Sequence, residues 1–276
     1  MLRTIRALLA LAVTATLAVP AAAKPITVKG SDTMVILGQR WAETYMNANP
    51  GQIIMVTGGG SGTGIAALIN GTTDICQASR AMKPDEKLKL RDRFQTMGVE
   101  IPVARDGVAV YVNDANPVPS LTLAQLRDIY LGKITNWKQV GGKDATILLY
   151  GRENSSGTYG FFKEHVLENR DFSDRLQALP GTSAVVNAVA RDVNGIGYGG
   201  AAYAKGVREV PLKKDDKSPA IAPALQNVTN GSYALSRYLF FYTRQKPAGD
   251  VKKFVDWILS PAGQKIAGDV GYYPLR

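Results

Sequence analysis

Cysteine and histidine are nearly absent from this chain, which contains one of each, Cys76 and His165. A single cysteine cannot form an intramolecular disulfide, so stability has to come from a buried core. Cys76 lies in an apolar run, residues 75–78, and is predicted to be a small buried residue rather than a reactive thiol. With so few soft ligands and no carboxylates at ligand spacing, the sequence predicts no metal site and no cofactor.

Groups that activate a nucleophile are equally scarce. A serine hydrolase needs a base beside its serine, and His165 lies seven residues after Thr158 on a predicted helix. No Gly-x-Ser-x-Gly motif occurs, and no Gly-Lys-Ser/Thr follows the glycine-rich run, which excludes a nucleophile elbow and a P-loop. Residues 62–67 match a relaxed dinucleotide pattern, but the acidic residue expected at the end of the next strand is missing. We predict no catalytic residue, although a serine–lysine hydrolase stays open.

No apolar run is long enough to span a membrane. Residues 7–19 form an apolar stretch shorter than the roughly 18–20 residues of a spanning helix, and no later segment reaches that length. Arg3 and Arg6 precede this stretch and three alanines at 21–23 follow it, which is typical of a cleaved export signal. We expect a signal peptide over residues 1–23 and a periplasmic protein that begins at Lys24. No cysteine lies directly after the stretch to carry a lipid.

Positive charge exceeds negative charge, with 33 Lys and Arg against 23 Asp and Glu, a net charge of +10. Loss of Arg3 and Arg6 with the signal lowers it to +8. A positive field attracts small anions. The basic residues are dispersed, and no basic stripe with interleaved aromatics is present, so we expect no nucleic-acid partner.

Three segments combine glycine with serine or threonine where a predicted strand gives way to a helix, at residues 30–33, 58–64 and 154–158. A helix N-terminus offers unpaired N–H groups and partial positive charge, glycine permits close approach, and a hydroxyl adds a donor. Arg152 precedes the third segment and offers a guanidinium fork to a tetrahedral oxyanion. Each segment alone could be an ordinary capped turn. Together they predict one anion-binding site.

Short apolar runs alternate with helical patterns, which favours an α/β architecture built on mostly parallel sheets. Residues 107–113 are predicted to form a strand, and residues 195–200 are too rich in glycine for a helix. An amphipathic helix over residues 251–259 is predicted to end the pattern at Ser260 and Pro261. The lack of a flexible linker agrees with two lobes joined by more than one crossing.

These residues resemble the periplasmic phosphate-binding proteins of ABC phosphate transporters, the PstS-like group. The likeness covers nearly the whole mature chain and is carried by residues 30–34, 57–74, 121–137, 151–158 and 194–200. It implies a two-lobed type II periplasmic binding protein, an α/β fold of mixed, mostly parallel sheets flanked by helices, with the ligand cleft between the lobes. Lobe one would hold residues 24–105 and 231–276, and lobe two residues 106–230.

Carried over position by position, the resemblance implies that seven residues contact phosphate: Thr33, Met34, Ser61, Arg152, Ser156, Gly157 and Thr158. One position departs from the pattern. Well-known members have an aspartate after the Ala-Ser pair, where it accepts the proton of hydrogen phosphate, whereas this chain has Arg80, which can only donate. Arg80 in the cleft would strengthen dianion binding and weaken discrimination against sulfate. Asp32 is a possible replacement acceptor, and equally a helix cap or a partner of Arg80.

The function implied by the resemblance is binding of inorganic phosphate and its delivery to the permease of an ABC transporter. The protein would be a monomer without catalytic turnover. Two alternatives stay open within binding proteins, a different oxyanion such as sulfate and a phosphate-sensing role. From another class, an exported serine phosphoester hydrolase is also open.

Overall fold

The computed structural model describes residues 24–275, so the predicted export signal over residues 1–23 lies outside the described residues. The first part of the chain builds three parallel strands in the order β2-β1-β3. The strands and the helices around them are β1 (Ile26–Gly30), α1 (Val35–Ala48), β2 (Ile54–Thr57), α2 (Ser61–Asn70), β3 (Ile75–Ala78) and α3 (Pro84–Phe94). A 3-10 turn, Asp32–Met34, joins β1 to α1.

The long strand β4 (Val99–Val112) joins the two parts of the sheet. Along its first half it pairs antiparallel with the last strand, Ser236–Thr243, and along its second half with Gly195–Gly200. The sequence predicted only residues 107–113 as a strand, because charged residues and Pro102 interrupt the earlier apolar pattern. Proline lacks an N–H, and the pairing accommodates Pro102 at a register shift opposite Phe240.

The middle of the chain forms the second part of the sheet. Its elements are β5 (Leu121–Thr122), α4 (Leu123–Tyr130), β6 (Leu148–Arg152), α5 (Gly157–His165), β7 (Gln177–Leu179), α6 (Thr182–Arg191), β8 (Gly195–Gly200), β9 (Arg208–Glu209), β10 (Leu212–Lys213) and α7 (Leu225–Thr229). The strand order is β4-β8-β6-β7, with β6 parallel to both of its neighbours. A short parallel pair, β5 with β10, stands apart, and β9 pairs with β4. The chain then returns to the first part through β11 (Ser236–Thr243).

The C-terminal segment contains two helices, α8 (Gly249–Leu259) and α9 (Pro261–Val270). The helix α8 ends before Ser260 and Pro261, as predicted. The expectation that the last helix of the chain ends there was wrong, because α9 follows directly. Ser260 caps α9 through its side chain and Pro261 occupies the first helical turn, where a missing N–H carries no penalty. The Trp41 indole of α1 donates to the Gly263 carbonyl at 2.8 Å, which fixes α9 against the first part of the fold.

Buried side chains form two large clusters. One includes Trp41, Phe241 and Phe254, and the other includes Tyr130 and Phe162. The first cluster also takes in Val185, Val189 and Tyr203 from the middle of the chain, so the two parts of the fold pack against each other. The chain therefore has the predicted α/β fold, a mixed sheet flanked by helices.

Cys76 belongs to a third, smaller cluster and is fully buried, as the sequence predicted. Burial raises the pKa of its thiol, which keeps it protonated. None of the helices in residues 24–275 is both long and apolar enough to cross a membrane.

Candidate functional site

The three glycine and hydroxyl segments meet between the two parts of the fold. The Thr33 and Thr158 hydroxyl oxygens lie 2.9 Å apart, and both side chains are buried. The Gly62 N–H donates to the Ser155 carbonyl at 2.9 Å, which joins the second segment to the third. Residues far apart in sequence therefore form a single group, as the sequence predicted.

Serines extend this group on the side of α2. The Ser31 hydroxyl donates to Ser79 Oγ at 2.8 Å, and the Ser79 N–H donates to Ser61 Oγ at 3.0 Å. We refer to Ser31, Thr33, Ser61, Ser79 and Thr158 as the hydroxyl cluster. All five side chains are almost completely buried. The cluster is a concentration of hydroxyl donors shielded from water.

Two helix N-termini face each other at the hydroxyl cluster. Ser61 begins α2 and Gly157 begins α5, and a Cβ added at Gly157 would lie only 2.3 Å from Ser61 Oγ. Ser156 caps α5 by accepting from the N–H groups of Thr158 and Tyr159, at 3.2 and 3.3 Å. The earliest N–H groups of a helix have no acceptor within that helix, and the N-terminus carries partial positive charge. Two such ends together create a positive centre.

Met34 and Thr33 reach this centre from the turn after β1. The Met34 N–H donates to the Ser31 carbonyl at 3.0 Å and its side chain is fully buried in the core. Thr33 contributes its hydroxyl, and its carbonyl accepts from the phenol of Tyr272. The turn is thereby fixed on both sides, so the Thr33 hydroxyl is held toward α5.

Arg152, at the end of β6, is buried and linked to both parts of the fold. Its Nη2 donates to Asp32 Oδ2 at 2.8 Å and to Glu153 Oε1 at 2.9 Å, and its Nη1 donates to Thr182 Oγ1 at 2.8 Å. Asp32 also accepts from the Gly59 N–H at 2.8 Å. Of the alternatives for Asp32, neither capping of the next helix nor pairing with Arg80 is present, since its carboxylate holds Arg152 instead.

Arg80 is paired with Glu86, and its hydrogen bonds within residues 24–275 do not include the hydroxyl cluster. Its side chain lies against α5, where a Cβ added at Gly160 would meet Arg80 Cδ at 3.4 Å. Its Nη1 and Nη2 donate to the two carboxylate oxygens of Glu86 at 2.8 and 2.7 Å, and Nη1 also donates to the Ala81 carbonyl. Glu86 in turn accepts from the Lys83 N–H at the start of α3. A bidentate pair of this kind is a strong interaction, so it holds the guanidinium beside α3.

A second buried arginine was not anticipated from the sequence. Arg237 on β11 donates through Nε and Nη2 to Asp106 Oδ2 on β4, at 3.0 and 2.7 Å, and through Nη2 to Thr158 Oγ1 at 3.0 Å. Burial raises the pKa of Asp106, and the Arg237 charge opposes that shift. In the sequence, Asp106 lies beside Arg105 just before the predicted strand over residues 107–113, and Arg237 lies just before an aromatic run. Their separation of 131 positions hid the pairing.

The serines of the site bond mainly to one another and to backbone groups. In the part of the chain that the structure describes, the side-chain hydrogen bonds of Ser31, Ser61, Ser79 and Ser156 involve neither histidine nor carboxylate. His165 contacts the Phe161 carbonyl at 3.0 Å and stacks on its ring. Within residues 24–275 no group of three or more side chains is arranged to hold a metal ion.

Comparison with known proteins places the chain in a family. The model of the PBP superfamily domain matches residues 15–262. The phosphate-binding protein PstS of Pseudomonas aeruginosa PAO1 is 33% identical over 263 residues, which cover 89% of this chain and 81% of that protein. The PstS of Staphylococcus epidermidis RP62A is 37% identical over 249 residues, with coverage of 86% and 73%.

Solved structures agree with these relatives. A candidate phosphate ABC transporter substrate-binding protein from Clostridium perfringens, solved with bound phosphate, superposes with a TM-score of 0.83 at 31% identity, covering 92% of this chain and 100% of that one. An ABC-type phosphate transport receptor from Vibrio cholerae gives a TM-score of 0.72 at 30% identity, with coverage of 90% and 99%. The chain therefore belongs to the PBP superfamily and, within it, to the PstS-like family of phosphate-binding proteins.

Proposed function

We propose that this protein binds inorganic phosphate between the two parts of its fold, in the periplasm, and delivers it to the membrane subunits of an ABC transporter. The observation that carries this proposal is the meeting of the α2 and α5 N-termini at the hydroxyl cluster. Two partial positive charges that face each other are unfavourable unless an anion lies between them, and the hydroxyls donate to its oxygens. The names of the relatives support phosphate as that anion.

In this proposal the ligand is held by both lobes, residues 24–105 with 231–276 on one side and residues 106–230 on the other. The contacts are those implied by the resemblance, namely Thr33, Met34 and Ser61 from the first lobe, and Arg152, Ser156, Gly157 and Thr158 from the second. Phosphate separates the Thr33 and Thr158 hydroxyls, which then donate to it rather than to each other. Because each lobe contributes donors, the ligand favours the closed arrangement.

Selectivity is assigned to Asp32. Its carboxylate already accepts from Arg152 and Gly59, but it has further lone pairs and can take the proton of hydrogen phosphate. Sulfate carries no proton at neutral pH and would be repelled by the same carboxylate. Arg80 contributes little to affinity in this proposal while Glu86 engages its guanidinium.

Catalytic turnover is not part of the proposed function. The serines of the hydroxyl cluster bond to one another and have no base beside them in the described chain. We further propose that the protein acts as a monomer without a nucleic-acid partner. A chromogenic phosphate ester should therefore release no product, whereas steady release would favour the serine phosphoester hydrolase.

Equilibrium dialysis with radioactive phosphate tests the ligand. Residues 24–276 are stripped of bound ligand in denaturant and refolded, and competitors are added in excess. We expect arsenate to compete strongly, since it is also a protonated tetrahedral anion, and sulfate to compete weakly. Equal competition by sulfate would favour the alternative that the protein binds a different oxyanion such as sulfate. The Asp32→Ala variant should lose the preference for phosphate over sulfate, and unchanged selectivity would refute the acceptor role.

The transport role needs a cellular measurement. Deletion of the gene from its own organism should lower uptake of radioactive phosphate at low external concentration. Complementation with the wild-type chain should restore that uptake. Tight phosphate binding in the purified protein combined with normal uptake after deletion would instead favour the sensing role.

A further inference from the structure

Arg237 and Asp106 lie where both connecting strands pass between the two parts of the fold. They are directly paired residues of β11 and β4, and their side chains are only 3% and 1% exposed. A buried ion pair is by itself weak evidence of stabilisation, because desolvation offsets much of the attraction. The contact of Arg237 with Thr158 of the hydroxyl cluster is what links this ion pair to the anion site.

The contact with Thr158 fixes the direction of a hydroxyl hydrogen. Arg237 Nη2 donates to Thr158 Oγ1 at 3.0 Å, so that oxygen acts as an acceptor on the Arg237 side. Its own hydrogen has to point elsewhere, and Thr33 Oγ1 lies 2.9 Å away. An anion between the two threonines would receive that hydrogen instead. Arg237 therefore makes Thr158 a donor on the side of the anion site.

Arg237 also has a donor to spare. Its Nη1 is buried without a hydrogen-bond partner among residues 24–275. A guanidinium is planar, and the outer hydrogens of Nη1 and Nη2 point in nearly the same direction. Nε and one hydrogen of Nη2 donate to Asp106, so the other Nη2 hydrogen is the one that donates to Thr158. One hydrogen of Nη1 is parallel to that second Nη2 hydrogen. The open donor is thus on the side of the hydroxyl cluster.

On the basis of the proposed phosphate site, we propose that Arg237 is a second arginine of that site, positioned by Asp106. It orients the Thr158 hydroxyl toward the anion and offers Nη1 to an anion oxygen. Arg152 differs from it, because most donors of Arg152 are taken by Asp32, Glu153 and Thr182. The two arginines therefore have different roles. Arg152 ties the lobes together, and Arg237 supplies charge and donor direction.

A double-mutant cycle tests this assignment by isothermal titration with phosphate. The set is wild type, Arg237→Lys, Thr158→Val and the double variant. Arg237→Lys keeps the charge but loses the fork, and we expect its Kd to rise about 10- to 100-fold. Because Arg237 acts partly through Thr158, the double variant should lose less affinity than the two single losses combined. Losses that simply multiply, or an unchanged Kd for Arg237→Lys, would overturn the assignment.

Arg244 provides the matched control. It follows the opposite end of β11, is partly buried and lies near Asp74 rather than the hydroxyl cluster. Arg244→Lys should change the phosphate Kd by less than about twofold. A loss equal to that of Arg237→Lys would show a general effect of β11 arginines and overturn the specific role of Arg237.

If Arg237→Lys fails to fold, a measurement on the wild-type chain tests whether Arg237 contacts the bound phosphate. In protein labelled with nitrogen-15 at arginine, phosphate should shift the Arg237 Nη signals and slow their hydrogen exchange, while the Arg244 signals stay in place. Unchanged Arg237 signals in a protein that binds phosphate would overturn the assignment and leave the proposed function intact. A wild-type chain that binds no phosphate would overturn both.

Discussion

Replacement of Gly157 by alanine is the sharpest test of how the two parts of the fold meet. An added Cβ would lie 2.3 Å from Ser61 Oγ and 2.6 Å from Ser79 Oγ, where ordinary contact begins near 3.4 Å. The two hydroxyls would have to turn out of their hydrogen bonds, and since Ser61 Cβ would also lie only 3.0 Å away, the α5 N-terminus would have to withdraw from α2 by a few tenths of an ångström. Gly157 has a helical conformation, so alanine itself is not strained there.

The cost of that withdrawal should appear in ligand binding. Overpacking of a close interface typically costs about 1–3 kcal/mol, which corresponds to a rise in the phosphate Kd of about 5- to 150-fold. The clash lies within packing that the structure shows, so the melting temperature without ligand should fall as well wherever α5 and α2 meet in the free protein. The assays are isothermal titration with phosphate and thermal unfolding monitored by circular dichroism.

Gly268→Ala is the matched control for Gly157→Ala. Gly268 lies in α9, where an added Cβ would meet only Pro274 at an ordinary 3.7 Å. Alanine there should leave the Kd unchanged and stabilise the helix by up to about 1 kcal/mol. Wild-type phosphate affinity in Gly157→Ala would refute the close meeting of the two helix N-termini in the bound state.

Four further outcomes are expected. Arg152→Lys should raise the phosphate Kd at least about tenfold, since one ammonium cannot replace the planar fork, and unchanged affinity in a titration would argue against its role. Arg80→Ala should change that Kd less than about threefold, because Glu86 holds Arg80, and a larger loss would place Arg80 in the cleft. Burial raises the Glu209 pKa from 4.5 to about 7, so its contribution to stability is present below about pH 4.5 and lost as the pH rises through about 7. Between pH 5 and pH 8, the free energy of unfolding measured with urea should fall by about 1 kcal/mol less in Glu209→Gln than in the wild type. The difference stays this small because solvent still reaches the carboxylate. Identical pH dependence of the two proteins would contradict this. Cys76 should react with a thiol reagent only after unfolding, and rapid reaction of the native protein would contradict its burial.

Local chemistry made much of the fold predictable. Thr122 caps α4 with Gln125 in a reciprocal pair, which is a local sequence pattern typical of a helix N-terminus. Gly157 begins α5 directly on the third segment, where a strand was predicted to give way to a helix. The first turn of α2 was harder to place, because apolar residues at helical spacing begin only at Ile65, whereas the helix begins at Ser61 inside the glycine-rich run. Three glycines ahead of it favour a loop on propensity alone, and packing of α2 against β1 and β3 outweighs that preference.

The site was predictable where its residues follow one another in sequence. The three segments can be identified in the sequence by their glycine and hydroxyl content, and each begins a helix or a turn. The pair of Asp106 with Arg237 could not be found this way, because it depends on the register between β4 and β11. The engagement of Arg80 by Glu86 was hidden for a related reason. Two charges six positions apart interact only because the chain turns between β3 and α3.

Isothermal titration of the ligand-stripped wild-type chain with inorganic phosphate tests directly whether the hydroxyl cluster is a phosphate site. We expect saturable binding of one phosphate per chain with a Kd well below roughly millimolar, which is about −4 kcal/mol. Binding no tighter than that, with heat no larger than for a matched addition of chloride, would contradict the assignment of the hydroxyl cluster as a phosphate site.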